Sequence, residues 1–167
     1  MLTTPLFACS PSVVIGKNYS YTFSGDSVQL EVDIAVSASA ESAVSLHLWA
    51  SATPFEGGLL QGVKIAEVAC GMLTSDTHIS ECAQAYVPAG RASHFMVLAL
   101  VASPLNEQAL IVDYVNFAQQ QVFIVPRMNG KIVVDVQGDA ADITIEQIEN
   151  PRIATNLSGT LALELWS

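Results

Sequence analysis

The sequence predicts an all-β protein, built as an antiparallel β-sandwich, and three observations carry that prediction. Apolar and polar residues alternate with a period of two in several short runs, as they do in strands with one buried face. Turn-forming residues separate these runs at the spacing typical of sandwiches. No window of helical length combines a 3.6-residue apolar period with capping residues.

The predicted strands follow one another along the chain. The clearest spans 28–36, where aliphatic residues alternate with polar ones. In the next, Leu46 and Leu48 point one way and Trp49 points the other. Five further runs have strand-like composition, at 63–69, 79–87, 94–101, 110–117 and 121–125. The intervening turns are marked by Thr53-Pro54, Gly57-Gly58, the Pro-Ala-Gly of 88–90, Ser103-Pro104 and Pro126.

The composition excludes some partners and favours others. Of 167 residues, 51% are hydrophobic and 13% charged, with a net charge of −10 at pH 7. Six lysines and arginines are too few for the basic stripe that binds a phosphate backbone, so we expect no nucleic-acid partner. The longest fully apolar run, 95–102, is too short for a membrane helix, so we expect no membrane insertion. A chain this apolar is expected to hide part of its surface against partners.

The first residues, 1–11, form a predicted N-terminal segment without a recognisable signal peptide. They carry no positive charge, and Pro5 interrupts the hydrophobic stretch that a secretion signal needs. The sequence therefore leaves the compartment open.

Three cysteines leave one unpaired in any single chain. Cys70 and Cys82 flank a predicted turn between two strands, so a hairpin disulfide and two free thiols both fit their spacing. His78 lies between them, but a zinc site there would lack a fourth ligand and would match no familiar spacing. We predict no metal and no cofactor.

The sequence contains no motif of a catalytic site. The GxSxG, HExxH, Walker-type and GxGxxG patterns do not occur. His47 is predicted to lie on a solvated strand face and His94 to begin an apolar strand. The aspartates at 135, 139 and 142 do not match a calcium loop, which predicts a solvated acidic turn. Because no nucleophile, base and orienting group come together, we predict that the protein is not an enzyme.

Two stretches of the chain resemble each other. Gly25-Asp26 and the strand after it match Gly138-Asp139 and the residues after it, 113 positions later. LHLW at 46–49 matches LELW at 163–166, 117 positions later. The sequence thus predicts three parts: the N-terminal segment 1–11, a complete sandwich repeat at 12–126, and a partial second repeat of its first three strands at 127–167.

A partial repeat of three strands is too small to bury both of its faces. Three outcomes are consistent with this. The strands extend the sheets of the first sandwich, they are donated to a neighbouring subunit, or the chain is an excerpt of a longer array.

Three features connect the first repeat with known modules: the tryptophan of LHLWA, the corner at 88–90 before HFMVLALVA, and the closing IVDYVNF. With these, it resembles a fibronectin type III or immunoglobulin-like β-sandwich of bacterial surface proteins. The resemblance implies a spacer, adhesive unit or partner-binding domain, and nothing catalytic. It favours an extracellular, cell-surface or virion location.

Two hypotheses for the function follow. The leading one is a self-associating structural subunit of a surface filament, shell, virion or adhesin-like array, with a homo-oligomer or protein partner. The alternative is a monomeric module that binds a glycan or a protein. The predicted contact surface consists of Phe55 together with Trp49 and Trp166, which the alternation places opposite the leucines.

Overall fold

The computed structural model describes residues 2–3, 12–40, 42–88, 93–103, 109–123 and 126–150, together with 163 and 165. Eleven strands occur in this part of the chain, and no helix does. The prediction of an all-β protein is therefore confirmed. The strands are β1 (Leu2–Thr3), β2 (Val13–Ser24), β3 (Ser27–Val36), β4 (Ala43–Ser51), β5 (Leu59–Leu60), β6 (Val63–Gly71), β7 (Thr77–Gln84), β8 (Ser93–Ser103), β9 (Leu110–Val122), β10 (Arg127–Gln137) and β11 (Ala140–Glu149).

The strands form three sheets. One has the order β2-β3-β7, a second has the order β5-β1-β9-β8-β4-β6, and the third is the hairpin β10-β11. All pairings are antiparallel except that of β1 with β9. The contacts divide the chain into two compact units, Met1–Pro88 with Ala92–Phe123, and Ala89–Arg91 with Ile124–Ser167. Strand β9 is continuous where the sequence analysis expects two strands, because Gln120 and Gln121 resume the pairing with β8 after an irregularity that follows Asn116.

The first unit has a sandwich-like core between its two larger sheets. The alternate residues Val28, Leu30, Val32 and Ile34 of β3 are at most 1% exposed. Aromatic rings of β2 meet rings in β9 and just after it edge to face across the two sheets, and such pairs stabilise beyond the area they bury. The ring centroids are 4.6 Å apart for Tyr21–Phe117, 5.4 Å for Tyr19–Phe117 and 5.3 Å for Phe23–Phe123.

A second core covers the other face of the six-stranded sheet. Val97, Ala99 and Val101 of β8 lie on that face and are fully buried, beneath Phe55 and Leu60. Because the intervening residues Met96, Leu98 and Leu100 are equally buried, β8 is covered on both sides. A strand with two buried faces reads as a continuous apolar run, as 95–102 does.

The segment between β4 and β6 supplies this cover by crossing the sheet. Only Gln61 and Gly62 separate β5 from β6, although these two strands lie at opposite ends of the sheet order. A Cβ atom on Gly62 would overlap the carbonyl oxygen of Ala50, so the crossing requires glycine there. The side chain of Asn116 fixes the crossing segment, since it accepts from the Phe55 N–H at 2.9 Å and donates to its carbonyl at 2.8 Å.

No helix in the described residues is long and apolar enough to cross a membrane.

The Phe55→Ala substitution tests whether the second core supports the fold. Phe55 is 5% exposed and its ring lies 4.6 Å from that of Tyr114, centroid to centroid. Removing the ring leaves a cavity, so we expect the free energy of unfolding to fall by about 3–4 kcal/mol in urea denaturation. Tyr86→Ala serves as the control, because Tyr86 is 63% exposed and should change stability little. If Phe55→Ala lowers the free energy of unfolding as little as Tyr86→Ala does, the second core does not support the fold.

Candidate functional site

The structure places two members of the predicted contact surface inside the first unit. Phe55 is a buried core residue, and Trp49 is partly buried against the same cluster. Phe55 is thus corrected from a surface residue to a core residue, because the face opposite the leucines of β4 is covered. The indole Nε1 of Trp49 is buried and has no hydrogen-bond partner among the described residues. Trp166 lies outside the described residues.

Cys70 and Cys82 are free thiols in the structure, which is one of the two alternatives that their spacing allows. Cys70 lies in β6 of the six-stranded sheet, whereas Cys82 lies in β7 of the three-stranded sheet. The turn between them carries the chain from one sheet to the other and does not close a hairpin. Burial raises the pKa of the Cys70 thiol, which keeps it protonated and unreactive.

A buried polar cluster lies on the covered face of β4. His47 is 6% exposed, so the prediction of a solvated strand-face residue is wrong. Its Nε2 atom lies 2.9 Å from the Ser45 hydroxyl and 3.5 Å from the Glu67 carboxylate on β6. Lys64 donates to the other oxygen of Glu67. Strands β4 and β6 pair at His47 and Glu67, and this pairing positions the whole cluster.

His47 is held neutral by its surroundings. Burial lowers its pKa, and the nearby Glu67 carboxylate only partly opposes that shift. The Nδ1 atom is buried and has no hydrogen-bond partner among the described residues. A protonated ring would turn Nδ1 into an unsatisfied buried donor, which is unfavourable. The neutral ring with its proton on Nε2 avoids this, because that N–H can donate to Ser45 or Glu67.

The geometry of this cluster differs from that of a catalytic triad. In a triad the nucleophile and the orienting carboxylate contact opposite nitrogens of the imidazole. Here Ser45 and Glu67 both approach Nε2. Ser45 is only 8% exposed, so a substrate has no access to its hydroxyl group.

A second polar cluster lines a shallow open cleft at the end of the three-stranded sheet. The Asp33 carboxylate contacts His78 Nδ1 at 2.7 Å and accepts from the Asn18 amide at 2.7 Å. Asp76 accepts from the Val36 N–H at 2.8 Å on the same side. The hydrogen bond with His78, and then that from Asn18, lowers the pKa of Asp33. No group of three or more metal-ligating side chains occurs among the described residues, so this cleft offers too few ligands for a metal.

Between its bulge and its turn, the hairpin β10–β11 has only apolar side chains on one side, and its acids together with Val133 on the other. We define its aliphatic face as Ile132, Val134, Val136, Ile143 and Ile145, which the register places on one side. Ile132 is 49%, Val134 42% and Val136 64% exposed. The other side carries Asp135 opposite Asp142. Like charges that face each other destabilise a strand pair, and water must screen them, so this second side is the solvated one.

The hairpins β2–β3 and β10–β11 share their turn and their irregularity. Both close with a two-residue Gly-Asp turn, in which Gly25 and Gly138 have φ of 61° and 58°. In β2, the three residues 16–18 lie opposite Asp33, and in β10 the two residues 130–131 lie opposite Glu146.

The acidic side chain fills the bulge in both hairpins. Asp33 accepts from the Asn18 side chain, whereas Glu146 accepts from the Lys131 N–H at 2.7 Å. A Cβ atom at Gly16 would lie 2.9 Å from Asp33, and one at Gly130 would lie 2.5 Å from Glu146. Glycine at both bulges therefore makes room for the acid.

Comparison with known proteins gives only distant likenesses. No protein-family model matches the chain, and no curated protein does. Among solved structures, three of Ruminococcus gnavus β-glucuronidase, one of them in complex with uronic isofagomine, match with 15–16% identity and TM-scores of 0.30–0.32. Each match covers 80% of this chain and 18% of the glucuronidase chain. A likeness this weak carries no argument about function.

Sequence reasoning missed the burial of the polar cluster, although a signal for it is present. The run 95–102 is apolar at every position, which predicts a strand covered on both faces. Since β4 pairs with β8 along its whole length, residues on the second face of β4 share that cover. The alternation in β4 alone gives no such indication, because it assumes that one face meets water.

The burial of His47 predicts a specific loss of stability in mild acid. A lowered folded-state pKa means that the unfolded chain binds the proton more readily, so stability is full above about pH 6.5 and falls as the pH decreases below it. We expect the unfolding temperature of the native chain to decrease between pH 8 and pH 5. In His47→Gln, the unfolding temperature should depend less on pH.

His94→Gln is the control for that experiment. His94 lies near the start of β8, beside the ring of Phe123, and outside the polar cluster. This variant should retain the pH dependence of the native chain. A His47→Gln variant with an unaltered dependence would assign the acid sensitivity to other groups.

Proposed function

We propose that the protein is a non-enzymatic structural subunit that self-associates, in a surface filament, shell, virion or adhesin-like array. The observation that carries the proposal is the exposure of the aliphatic face of β10–β11. Ile132, Val134 and Val136 lie side by side on this face and are strongly exposed, and the same hairpin exposes Met128, Val133 and Ile148 on its other side. Such a concentration marks an interaction surface.

The physical chemistry of a two-stranded sheet supports this proposal. A lone hairpin is marginally stable in water, since it has no second layer against which to bury its apolar side chains. Completing the burial of five half-exposed valines and isoleucines would contribute about 1 kcal/mol for each side chain. When two copies each bury such a face, the gain is about 10 kcal/mol in all, which exceeds the lower estimates of the entropy cost of association, about 4 kcal/mol.

A finer description of the fold also belongs to this proposal. In the immunoglobulin-like scheme, strands A, B, E and D form one sheet, and C, F and G form the other, joined by C′ in variable-type domains. The orders β2-β3-β7 and β6-β4-β8-β9 fit this scheme with β6 in the place of C′. We infer an immunoglobulin-like or fibronectin III-like first repeat. It departs from the scheme in three ways: Trp49 lies on the face away from β3, the described strands include no counterpart of D, and β1 and β5 extend the larger sheet.

The shared turn and bulge support the second part of that description, a partial repeat. In the first unit, the positions equivalent to the aliphatic face are Tyr19, Tyr21, Phe23, Leu30 and Val32, and they face the core. We infer that residues 127–149 repeat the first hairpin, so that their apolar face is a core face that needs a partner.

The alternative is a glycan- or protein-binding module, and the cleft beside Asp33 favours it. Its carboxylates and imidazole could form hydrogen bonds to a polar ligand. The cleft is shallow and open, however, whereas specific small-ligand sites are enclosed and largely apolar. Self-association is therefore the better supported function.

Light scattering over a hundredfold dilution tests the proposal with the full chain. We expect a defined multimer that dissociates on dilution. The double variant Ile132→Ser/Val136→Ser should be largely monomeric at concentrations where the native chain is assembled, because it removes apolar area from the contact.

The matched control places the same substitutions on exposed apolar residues of the first unit. Met72 and Val122 are 58% and 56% exposed, close to the values for Ile132 and Val136. Met72→Ser/Val122→Ser should leave the mass unchanged. A native chain that is monomeric at every concentration, or a control that lowers the mass equally, would contradict assembly through the hairpin.

A further inference from the structure

The aliphatic face of β10–β11 has the composition of a self-complementary contact. Its side chains are all valine and isoleucine, and no ionisable residue lies on it between the bulge at Gly130 and the turn at Gly138. The acids of this part of the hairpin, Asp135 and Asp142, lie on the opposite side. Two copies that meet through this face would therefore hold their acids apart, which matters for a chain with a net charge of −10.

Contact through strand edges alone would not bury the aliphatic face of this hairpin. Edge pairing extends a sheet but leaves its faces in water, so the valines and isoleucines would remain exposed. The edge of β10 is also interrupted by the bulge at Gly130, where the ladder of hydrogen bonds is broken. Covering the aliphatic face requires a second layer packed on it, about 10 Å away.

The first unit shows what chemistry such a layer has. The equivalent face of β2–β3 is covered by another sheet, whose contacts with it are rings and aliphatic side chains. Within the described residues, the corresponding sheet faces of the first unit are buried already, and its strongly exposed hydrophobics, Val63, Met72, Tyr86 and Val122, are scattered over different elements. A second copy of the hairpin offers an uncovered apolar sheet face of matching size.

We propose that two copies of the chain pack the aliphatic faces of their β10–β11 hairpins against each other about a two-fold axis. This inference rests on the proposed self-association and specifies its partner and geometry. In an isologous contact the same patch serves both copies, so residues near the axis meet their own counterparts. Val134, midway between the bulge and the turn and opposite Ile143, is the residue nearest the centre of the face.

Chemical cross-linking at single cysteines tests this geometry in the full chain. Cys9, Cys70 and Cys82 are replaced by serine, and either Val134→Cys or Val133→Cys is added. The two sites are neighbours with 42% and 40% exposure, and they lie on opposite faces. Because packed sheets lie about 10 Å apart, beyond the reach of a disulfide, a short bismaleimide is the reagent.

We expect the Val134→Cys chain to form covalent dimers and the Val133→Cys chain to form few. The cross-linked yield at Val134 should fall on dilution in step with the native mass. If the chain assembles but Val133→Cys cross-links as well as Val134→Cys does, the face-to-face contact is wrong although self-association stands. If the chain remains monomeric, both proposals fail, and other residues of the same chain or water cover the face.

A pair of aspartate variants keeps the test decisive if a cysteine variant misfolds. Val134→Asp would bury a charge in the contact, and we expect the dissociation constant to rise by about a hundredfold. Val133→Asp adds the same charge to the solvated side and should change it by less than about threefold, as rim charges do. In a Trp166→Phe background, the fluorescence of Trp49 reports whether the first unit of each variant is folded. Equal effects of both variants would overturn the assignment of the face.

Discussion

The central strands β4 and β8 are buried on both faces, and the arrangement of the first unit depends on that burial. Every residue from Met96 to Val101 is fully buried, so two apolar layers are needed, one on each side. The three-stranded sheet supplies one of them. The segment that carries Phe55 supplies the other, and to do so it must cross the sheet before β6 begins. The glycine at position 62 and the two hydrogen bonds from Asn116 follow from this crossing.

The sequence predicts the first layer well and the second poorly, for a physical reason. The alternation in β3 is enough to identify every second residue from Val28 to Ile34 as a core residue. A strand with one face in solvent must alternate apolar and polar residues. Phe55 lies in a segment without periodicity, and its burial depends on Asn116, which is 61 residues away. Likewise, the spacing of Cys70 and Cys82 shows a turn but not that the chain changes sheets within it.

The covered face of β4 also explains how a polar cluster exists in so apolar a unit. His47 contacts both Ser45 and Glu67 through its Nε2 atom, and the ring stays neutral because burial opposes its protonation. Glu67 remains half exposed and keeps its charge, and the hydrogen bond from Lys64 lowers its pKa. The charge thus stays at the edge of the sheet in water, while the imidazole behaves as a nearly apolar core residue.

The acid-filled bulges limit the ways in which the two hairpins can extend. A bulge breaks the ladder of hydrogen bonds at a strand edge and twists the strand, which discourages another chain from adding to that edge. Strand β10 has this protection at Gly130, but nothing in the described residues protects the aliphatic face. A contact restricted to a face closes after two copies, whereas edge addition continues indefinitely. Growth of such pairs into an array would require a second surface, whereas the strongly exposed apolar residues of the first unit are scattered over different elements.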